Sequence, residues 1–136
     1  MIEAMETSRK QFVLAVIAAG LWMNFSEFIR NEILLKEYWL DGFNDIGLTF
    51  PSAPVNGASW GLWAMIFAAF LTWLITRFSI LQSTVISWVL GFVLLWIAMW
   101  NLGVLPEGIL YWAIPWSFAE VYVAGFISRR LMGKHA

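Results

Sequence analysis

Long runs of hydrophobic residues, separated by short polar segments, dominate the chain. Between Asp45 and Glu107 the only Asp, Glu, Lys or Arg is Arg77, which separates two apolar stretches. Each stretch is long enough to form a helix across a bilayer, which needs about 20 mostly apolar residues. The pattern therefore predicts transmembrane helices over residues 58–76 and 80–100.

Two further stretches are also long enough to cross a bilayer but carry polar interruptions. Residues 12–34 are apolar as far as Met23 and then mixed, and residues 109–131 contain Pro115 and Glu120. A soluble helical bundle would need a polar stripe on every helix, which the two middle stretches lack. The sequence predicts an all-α integral membrane protein, a four-transmembrane-helix bundle, with residues 1–136 as a single membrane domain.

The distribution of cations predicts how such a bundle is oriented. Of the eight Lys and Arg residues, six lie at one side of the predicted spans: Arg9, Lys10, Arg77, Arg129, Arg130 and Lys134. Lys and Arg concentrate on the cytoplasmic side, so both termini are expected to be cytoplasmic. The connection of about 20 residues between the first two spans then lies outside, where Asp41–Gly42 and Asn44–Asp45 indicate an irregular loop.

Composition narrows the chemistry further. The chain of 136 residues is 61% hydrophobic and 12% charged, against roughly 25% charged in soluble domains. A formal net charge of −1 offers no field for nucleic acid. There is no cysteine, and the single histidine is His135, so we expect no catalytic residue, no cofactor and no metal site. A plasma membrane or bacterial inner membrane is the expected location.

Small residues recur every four positions in both middle spans. They are Ala64, Ala68, Thr72 and Thr76 in one span, and Ser83, Ser87 and Gly91 in the other. Membrane helices associate through such residues because their backbones can then approach closely. These stripes are expected to face other helices, and packing within the chain is favoured over a dimer motif.

Polar residues of the first span fall on one predicted helix face. Gly20, Asn24, Glu27 and Asn31 are three or four residues apart, and Arg30 is close enough to pair with Glu27. A charge facing lipid costs a few kcal/mol even on insertion-based scales. This face is therefore expected to meet the bundle interior, a partner protein or water.

Glu120 lies at the centre of the fourth predicted span, with Ser117 on the same face. Pro115 should free the carbonyl of Tyr111, and Asn24 is the expected neighbour of Glu120 by depth. One hypothesis is that Glu120 and Glu27 bind a proton or cation during transport. The other is that a protonated or hydrogen-bonded glutamate joins the first and fourth helices. The candidate substrate or proton pathway comprises Glu120, Glu27, Asn24, Arg30, Asn31 and Ser117.

Most of the ten tryptophans belong to the outer half of this topology. An aromatic belt at the membrane surface is the favoured explanation. An aromatic cage for an organic cation stays open as the alternative. Its candidate lining residues are Trp112, Trp116, Trp96 and Tyr111.

These patterns lead to two main functional hypotheses. The first is an oligomeric transporter or channel-like protein for a proton, cation or small organic solute. The second is a non-catalytic accessory or assembly subunit of a membrane protein complex, docked through the polar face of the first span. An enzyme ranks third, because no motif has reaction-specific spacing. The expected partners are the lipid bilayer and either further copies of the chain or a membrane protein.

Overall fold

The fold is built of helices. The computed structural model describes residues 2–133, with side chains from Ser8 onward. Among these residues there is no strand. The helices are α1 (Ile2–Phe28), α2 (Lys36–Asp45), α3 (Pro54–Ile75), α4 (Ile80–Trp88), α5 (Leu94–Asn101) and α6 (Leu110–Met132). Lys134 and His135, which entered the orientation and metal-site arguments, lie outside the described residues.

Two short π-helical segments interrupt the α-helices. The first π segment, Ile29–Leu34, extends α1, and the backbone N–H of Leu35 donates to the carbonyl of Arg30 at 2.8 Å. The second π segment, Val89–Val93, joins α4 to α5. Such wide turns hold one extra residue and are frequent at functional sites. Sequence periodicity gave no sign of either segment.

Three helical runs within the described residues are long and apolar enough to cross a membrane. They are Ser8–Leu34, Pro54–Ile75 and Ile80–Asn101. This finding indicates a membrane protein, as the composition predicted. α6 is a helix of 23 residues where the fourth span is predicted. α3 begins four residues before its predicted start, because proline fits the first turn of a helix.

α6 packs against α1, α3 and α4, and α3 also packs against α1 and α4. Asn24 of α1 bonds to the carbonyl of Gly61 in α3, whereas Gly20 lies against Met65. Moving back along α1 thus corresponds to moving forward along α3, so these helices are antiparallel. This register sets the relative heights of their residues.

The small residues of α3 and α4 face neighbouring helices, as predicted. Ala64, Ala68 and Thr72 are buried, and so are Ser83 and Ser87. Thr76 is only half-buried, and its hydroxyl donates to the carbonyl of Trp73 in its own helix. The predicted stripes are therefore confirmed except at the end of α3.

The connection between the first two predicted spans is not wholly irregular, which corrects the prediction. α2 occupies ten of its residues, and only Leu35 and residues 46–53 are non-helical. Leu35, Tyr38 and Trp39 have helical spacing and pack against Ile109 and Ala113. This contact outweighs the local turn signals, since tertiary packing overrides weak sequence propensity. We call the end of the molecule that carries α2 and residues 102–109 the loop end.

Candidate functional site: an acid cluster between α1 and α6

Glu120 of α6 is buried against α1, with 2% of its surface exposed. The hydroxyl of Ser26 donates to Oε2 of Glu120, and Nε1 of Trp116 donates to the Ser26 oxygen at 3.0 Å. Nε1 of Trp22 donates to the backbone carbonyl of Glu120 at 3.0 Å. Three side chains therefore fix Glu120 in the contact between the two helices.

The direction of these bonds indicates where a proton on Glu120 resides. An indole N–H can only donate, so Ser26 accepts from Trp116, and its own hydroxyl donates to Oε2 of Glu120. Oε2 of Glu120 is consequently an acceptor. The other oxygen, Oε1, has no hydrogen-bond partner among the described residues. Oε1 is therefore the oxygen of Glu120 that is open to a proton.

Glu27 is held by a second set of donors from its own helical run. Arg30 donates from Nη2 to Oε1 of Glu27, which forms the predicted ion pair. Asn31 donates to Oε2 of Glu27 at 2.9 Å, and Trp39 donates to the Asn31 side chain at 3.1 Å. Both oxygens of Glu27 thus accept a hydrogen bond.

The two sets of residues are adjacent, because Ser26, which donates to Glu120, directly precedes Glu27, which pairs with Arg30. We name Ser26, Glu27, Arg30 and Glu120 the acid cluster. Its net charge is 0 when Glu120 is protonated and −1 when both glutamates are ionised. Proton binding is therefore a change in the charge of a buried site.

The acid cluster lies beside both π segments. Arg30 belongs to the first π segment, is 5% exposed, and stands over the ring of Phe92 in the second, 5.3 Å from its centroid. Its Nη1 atom has no hydrogen-bond partner among the described residues. A cation over an aromatic face is attracted by the ring quadrupole, so Phe92 partly replaces the lost hydration of Arg30.

Asn24 does not neighbour Glu120, contrary to the prediction. Its amide donates to the carbonyl of Gly20 at 2.9 Å and to that of Gly61 at 3.5 Å, so it faces α3. Asn24 lies at about the expected height along α1, but its side chain points to α3 and not to α6. Ser26 lies two residues further on, which corresponds to a rotation of about 200°. The four-residue spacing of Trp22 and Ser26 was the missed signal for the face that meets α6.

Ser117 also lies outside the hydrogen bonds of Glu120. It accepts from Nε1 of Trp88 at 2.9 Å and donates to the carbonyl of Ile114 at 3.2 Å. It therefore faces α4, whereas Glu120 faces α1. The predicted pocket that combines the two side chains is not formed.

The aromatic lining candidates have different positions. Trp116 contacts the acid cluster through Ser26, and Trp96 packs against Trp88 and Phe92. Tyr111 is 85% exposed and Trp112 is 61% exposed, so neither lines the interior of one chain. Their exposure at the loop end is that expected of an aromatic belt.

Two surface cavities of the described residues lie away from the acid cluster. One, of about 290 Å³, is at the loop end and is lined by Glu37, Tyr38, Asp41, Gly42, Asp45, Pro106 and Glu107. The other, of about 220 Å³, lies between α3 and α4 and is mostly apolar. Neither cavity includes a residue of the acid cluster.

A second polar region lies between α3, α4 and α6. We name it the hydroxyl cluster: Thr72, Ser83, Thr84, Ser87 and Ser128, all buried. The hydroxyls of Thr72 and Ser128 are 2.9 Å apart and bond to each other. The three hydroxyls of α4 have no partner among the described residues. This region contains no charge.

Known proteins offer no guide to the role of either cluster. No protein-family model, no curated protein and no solved structure matches the chain.

Proposed function

We propose that the chain is a proton-translocating membrane protein, an oligomeric transporter or channel-like protein in which Glu120 binds the proton. It has four spans, with α6 as the fourth, and both termini are cytoplasmic. A plasma membrane or bacterial inner membrane is its location. The observation that carries the proposal is the buried carboxyl of Glu120 with one unpartnered oxygen, next to the Glu27–Arg30 pair.

The distribution of side chains around α6 supports its role as a span. Its 23 residues correspond to about 35 Å of helix. Glu120, Ser117 and Ser128 are buried against other helices, whereas Tyr122 and Phe126 are exposed. The polar residues that lower its hydropathy thus face protein, and its outward face is suitable for lipid.

A proton is better supported than a larger cation or a solute. An organic solute needs a cavity, and the two surface cavities described above do not reach Glu120. A proton needs only an acceptor atom, which Oε1 of Glu120 provides. Binding of a proton to Glu120 also brings the net charge of the acid cluster to zero, because the charges of Glu27 and Arg30 then cancel.

Oligomerisation would complete the pathway. Trp116 is partly exposed on α6 and bonds to Ser26, the donor to Glu120, so its ring lies between the outer surface of a single copy and the acid cluster. The indole N–H only donates and does not itself relay a proton. A second copy packed on this surface would cover Trp116. The route for protons would then lie along the contact between copies.

Proton flux into liposomes tests this function. Purified protein is reconstituted with a trapped pH-sensitive dye, and flux is driven by a potassium diffusion potential. Glu120→Gln is expected to reduce proton flux to that of protein-free liposomes, because the side-chain amide does not gain or lose a proton near neutral pH. Glu107→Gln, at the loop end, is the matched control and should retain flux. Equal flux in Glu120→Gln and wild type, with both folded by circular dichroism, would reject the proposal.

The accessory-subunit hypothesis has support from a different surface. Asn24, Glu27 and Asn31 form hydrogen bonds within the chain, so the first span does not present a free polar face. The exposed surface with the clearest chemical character is instead acidic α2, whose carboxylates line the loop-end cavity. Co-purification of a stoichiometric partner that is lost in an Asp41→Asn/Asp45→Asn variant, but kept in Glu120→Gln, would favour this alternative.

A further inference from the structure

The end of the molecule opposite the loop end concentrates arginines. Arg77 lies in the turn of residues 76–79 between α3 and α4, and Arg129 donates to the carbonyl of Phe78 in that turn at 2.7 Å. The end of α6 is therefore adjacent to the turn. The antiparallel register of α1 and α3 places Arg9 at about the same height. We call this the basic end.

The basic end lies at the level of lipid headgroups. Arg77 falls between Pro54–Ile75 and Ile80–Asn101, two runs that are long and apolar enough to cross a membrane. The residues that join two such runs reach the membrane surface. This position requires only that these helices insert, and it does not depend on proton transport.

Two of the arginines are held against aromatic rings that face outward. The guanidinium of Arg77 is 4.3 Å from the ring centroid of Trp73, and that of Arg130 is 5.2 Å from the ring of Phe126. Trp73 and Phe126 are 43% and 45% exposed. A guanidinium stacked on a ring keeps the N–H donors along its edge free. Only one donor of Arg77 is used, in a bond of 3.1 Å to Thr76.

These arginines have no carboxylate partner among the residues whose side chains are described. The ion pairs of Glu27 with Arg30 and of Glu32 with Lys36 lie toward the loop end. The guanidinium groups of Arg77 and Arg130 therefore have no counter-charge among the described side chains. Phosphate oxygens match the planar donor edge of arginine and its charge.

We propose that the basic end binds the headgroup of an anionic phospholipid, with Arg77 and Arg130 as the donors to its phosphodiester. An anionic lipid is selected over a zwitterionic one because choline carries its own cation, which reduces the attraction to arginine. Basic residues beside membrane helices attract anionic lipids in this way. The aromatic rings add specificity, since they hold the two guanidinium groups at headgroup level.

Brominated lipids provide a local measurement, because bromine quenches a tryptophan that it contacts. Trp73 stands next to Arg77, and its contribution to fluorescence is the difference between wild type and Trp73→Phe. Quenching of this component is compared for brominated phosphatidylglycerol and brominated phosphatidylcholine in otherwise identical vesicles. We expect preferential quenching by phosphatidylglycerol. Arg77→Gln should lower that preference about fivefold, the equivalent of about 1 kcal/mol for one basic residue.

Three controls decide between this site and its alternatives. Arg9→Gln removes a charge from the same end without removing a stacked guanidinium, and Lys36→Gln removes one from the loop end; both should lower the preference less than Arg77→Gln does. A loss in Arg9→Gln equal to that in Arg77→Gln would reject the site in favour of general surface charge. Inorganic phosphate that abolishes the preference at equal concentration would show a free-phosphate site instead. Because each preference is a ratio within one variant, a moderately destabilised variant remains informative.

Discussion

The acid cluster and the hydroxyl cluster are two solutions to the burial of polar atoms between helices. In the acid cluster, donors with fixed directions hold the carboxyls: Trp116 through Ser26 for Glu120, and Arg30 with Asn31 for Glu27. In the hydroxyl cluster, Ser83, Thr84 and Ser87 have no partner among the described residues. Each carboxyl of the acid cluster has at least one directed donor, whereas a small hydroxyl is tolerated without a partner because it also permits close packing.

This difference separates specific polar interactions from packing. A buried charge without its partner is strongly destabilising, whereas a hydrogen bond between membrane helices contributes about 0.6 kcal/mol on average. Removal of a polar atom from the α1–α6 contact should therefore lower the free energy of unfolding. The α3–α4 contact should respond instead to added volume.

The largest effect is expected when the acid cluster loses its cation. Arg30→Met leaves Glu27 and Glu120 together without a positive charge, and we expect a loss of about 3–5 kcal/mol in the free energy of unfolding. Urea or SDS titration of the protein in mixed micelles measures it. Lys36→Met is the matched control, because Lys36 is 3.6 Å from Glu32 in an exposed ion pair. It should change stability by at most about 1 kcal/mol, and equal losses in the two variants would contradict the distinction.

Where α3 packs against α4 and the second π segment, added side-chain volume should lower the free energy of unfolding more than loss of a polar atom does. A Cβ at Gly91 would lie 2.3 Å from the ring of Phe67, which is enclosed by Trp63 and Phe92. Gly91→Ala is expected to cost about 1–3 kcal/mol in the same titration. Gly20→Ala should cost less, since its Cβ would meet the flexible side chain of Met65. A larger loss for Gly20→Ala than for Gly91→Ala would show that the aromatic contact adapts.

Removal of one hydroxyl from each cluster compares them directly. Ser26→Ala takes away the donor to Glu120 and leaves the indole N–H of Trp116 unpaired, so we expect a loss of about 1–2 kcal/mol. Ser83→Ala removes a buried hydroxyl that has no partner and should leave stability unchanged or slightly increased. Both substitutions remove the same atom, so similar losses would contradict the contrast between the clusters.

The smallest expected effect is the coupling between Thr72 and Ser128. Their hydroxyls are 2.9 Å apart, and a double-mutant cycle with Thr72→Val and Ser128→Ala isolates their interaction. We expect a coupling of about 0.6 kcal/mol. A coupling of about 2 kcal/mol or more would mean that the hydroxyl cluster also depends on directed bonds.

Sequence patterns predicted the long helices because length and hydropathy determine them almost alone. The span over residues 80–100 agrees with the observed run Ile80–Asn101. The helix α2 was missed because its turn signals are local, whereas the contact of Leu35 with Ile109 joins residues far apart in sequence. The second π segment was missed for a different reason: its run is apolar on every side, so the phase shift caused by an extra residue does not show in the hydrophobic pattern.

The candidate site was predicted in depth but not in direction. Glu27 with Arg30 needed only helical spacing, and the structure contains that pair. Asn24 and Ser117 were assigned to Glu120 from their heights, but they face α3 and α4. Direction around a helix depends on which neighbour lies on which side. Hydrophobic pattern and residue spacing do not show which helix lies on which side of another.

The second π segment has a consequence for insertions and deletions. Val89–Val93 holds one residue more than an α-helical turn requires, so removal of one residue there leaves α4 and α5 presenting the same faces. A deletion inside α3 would instead rotate every later residue of that helix by about 100° and turn its buried alanines outward. We expect a deletion scan to find the wide turn to be the most tolerant point within the membrane helices. Chain length can therefore change there without disturbing the contacts on either side.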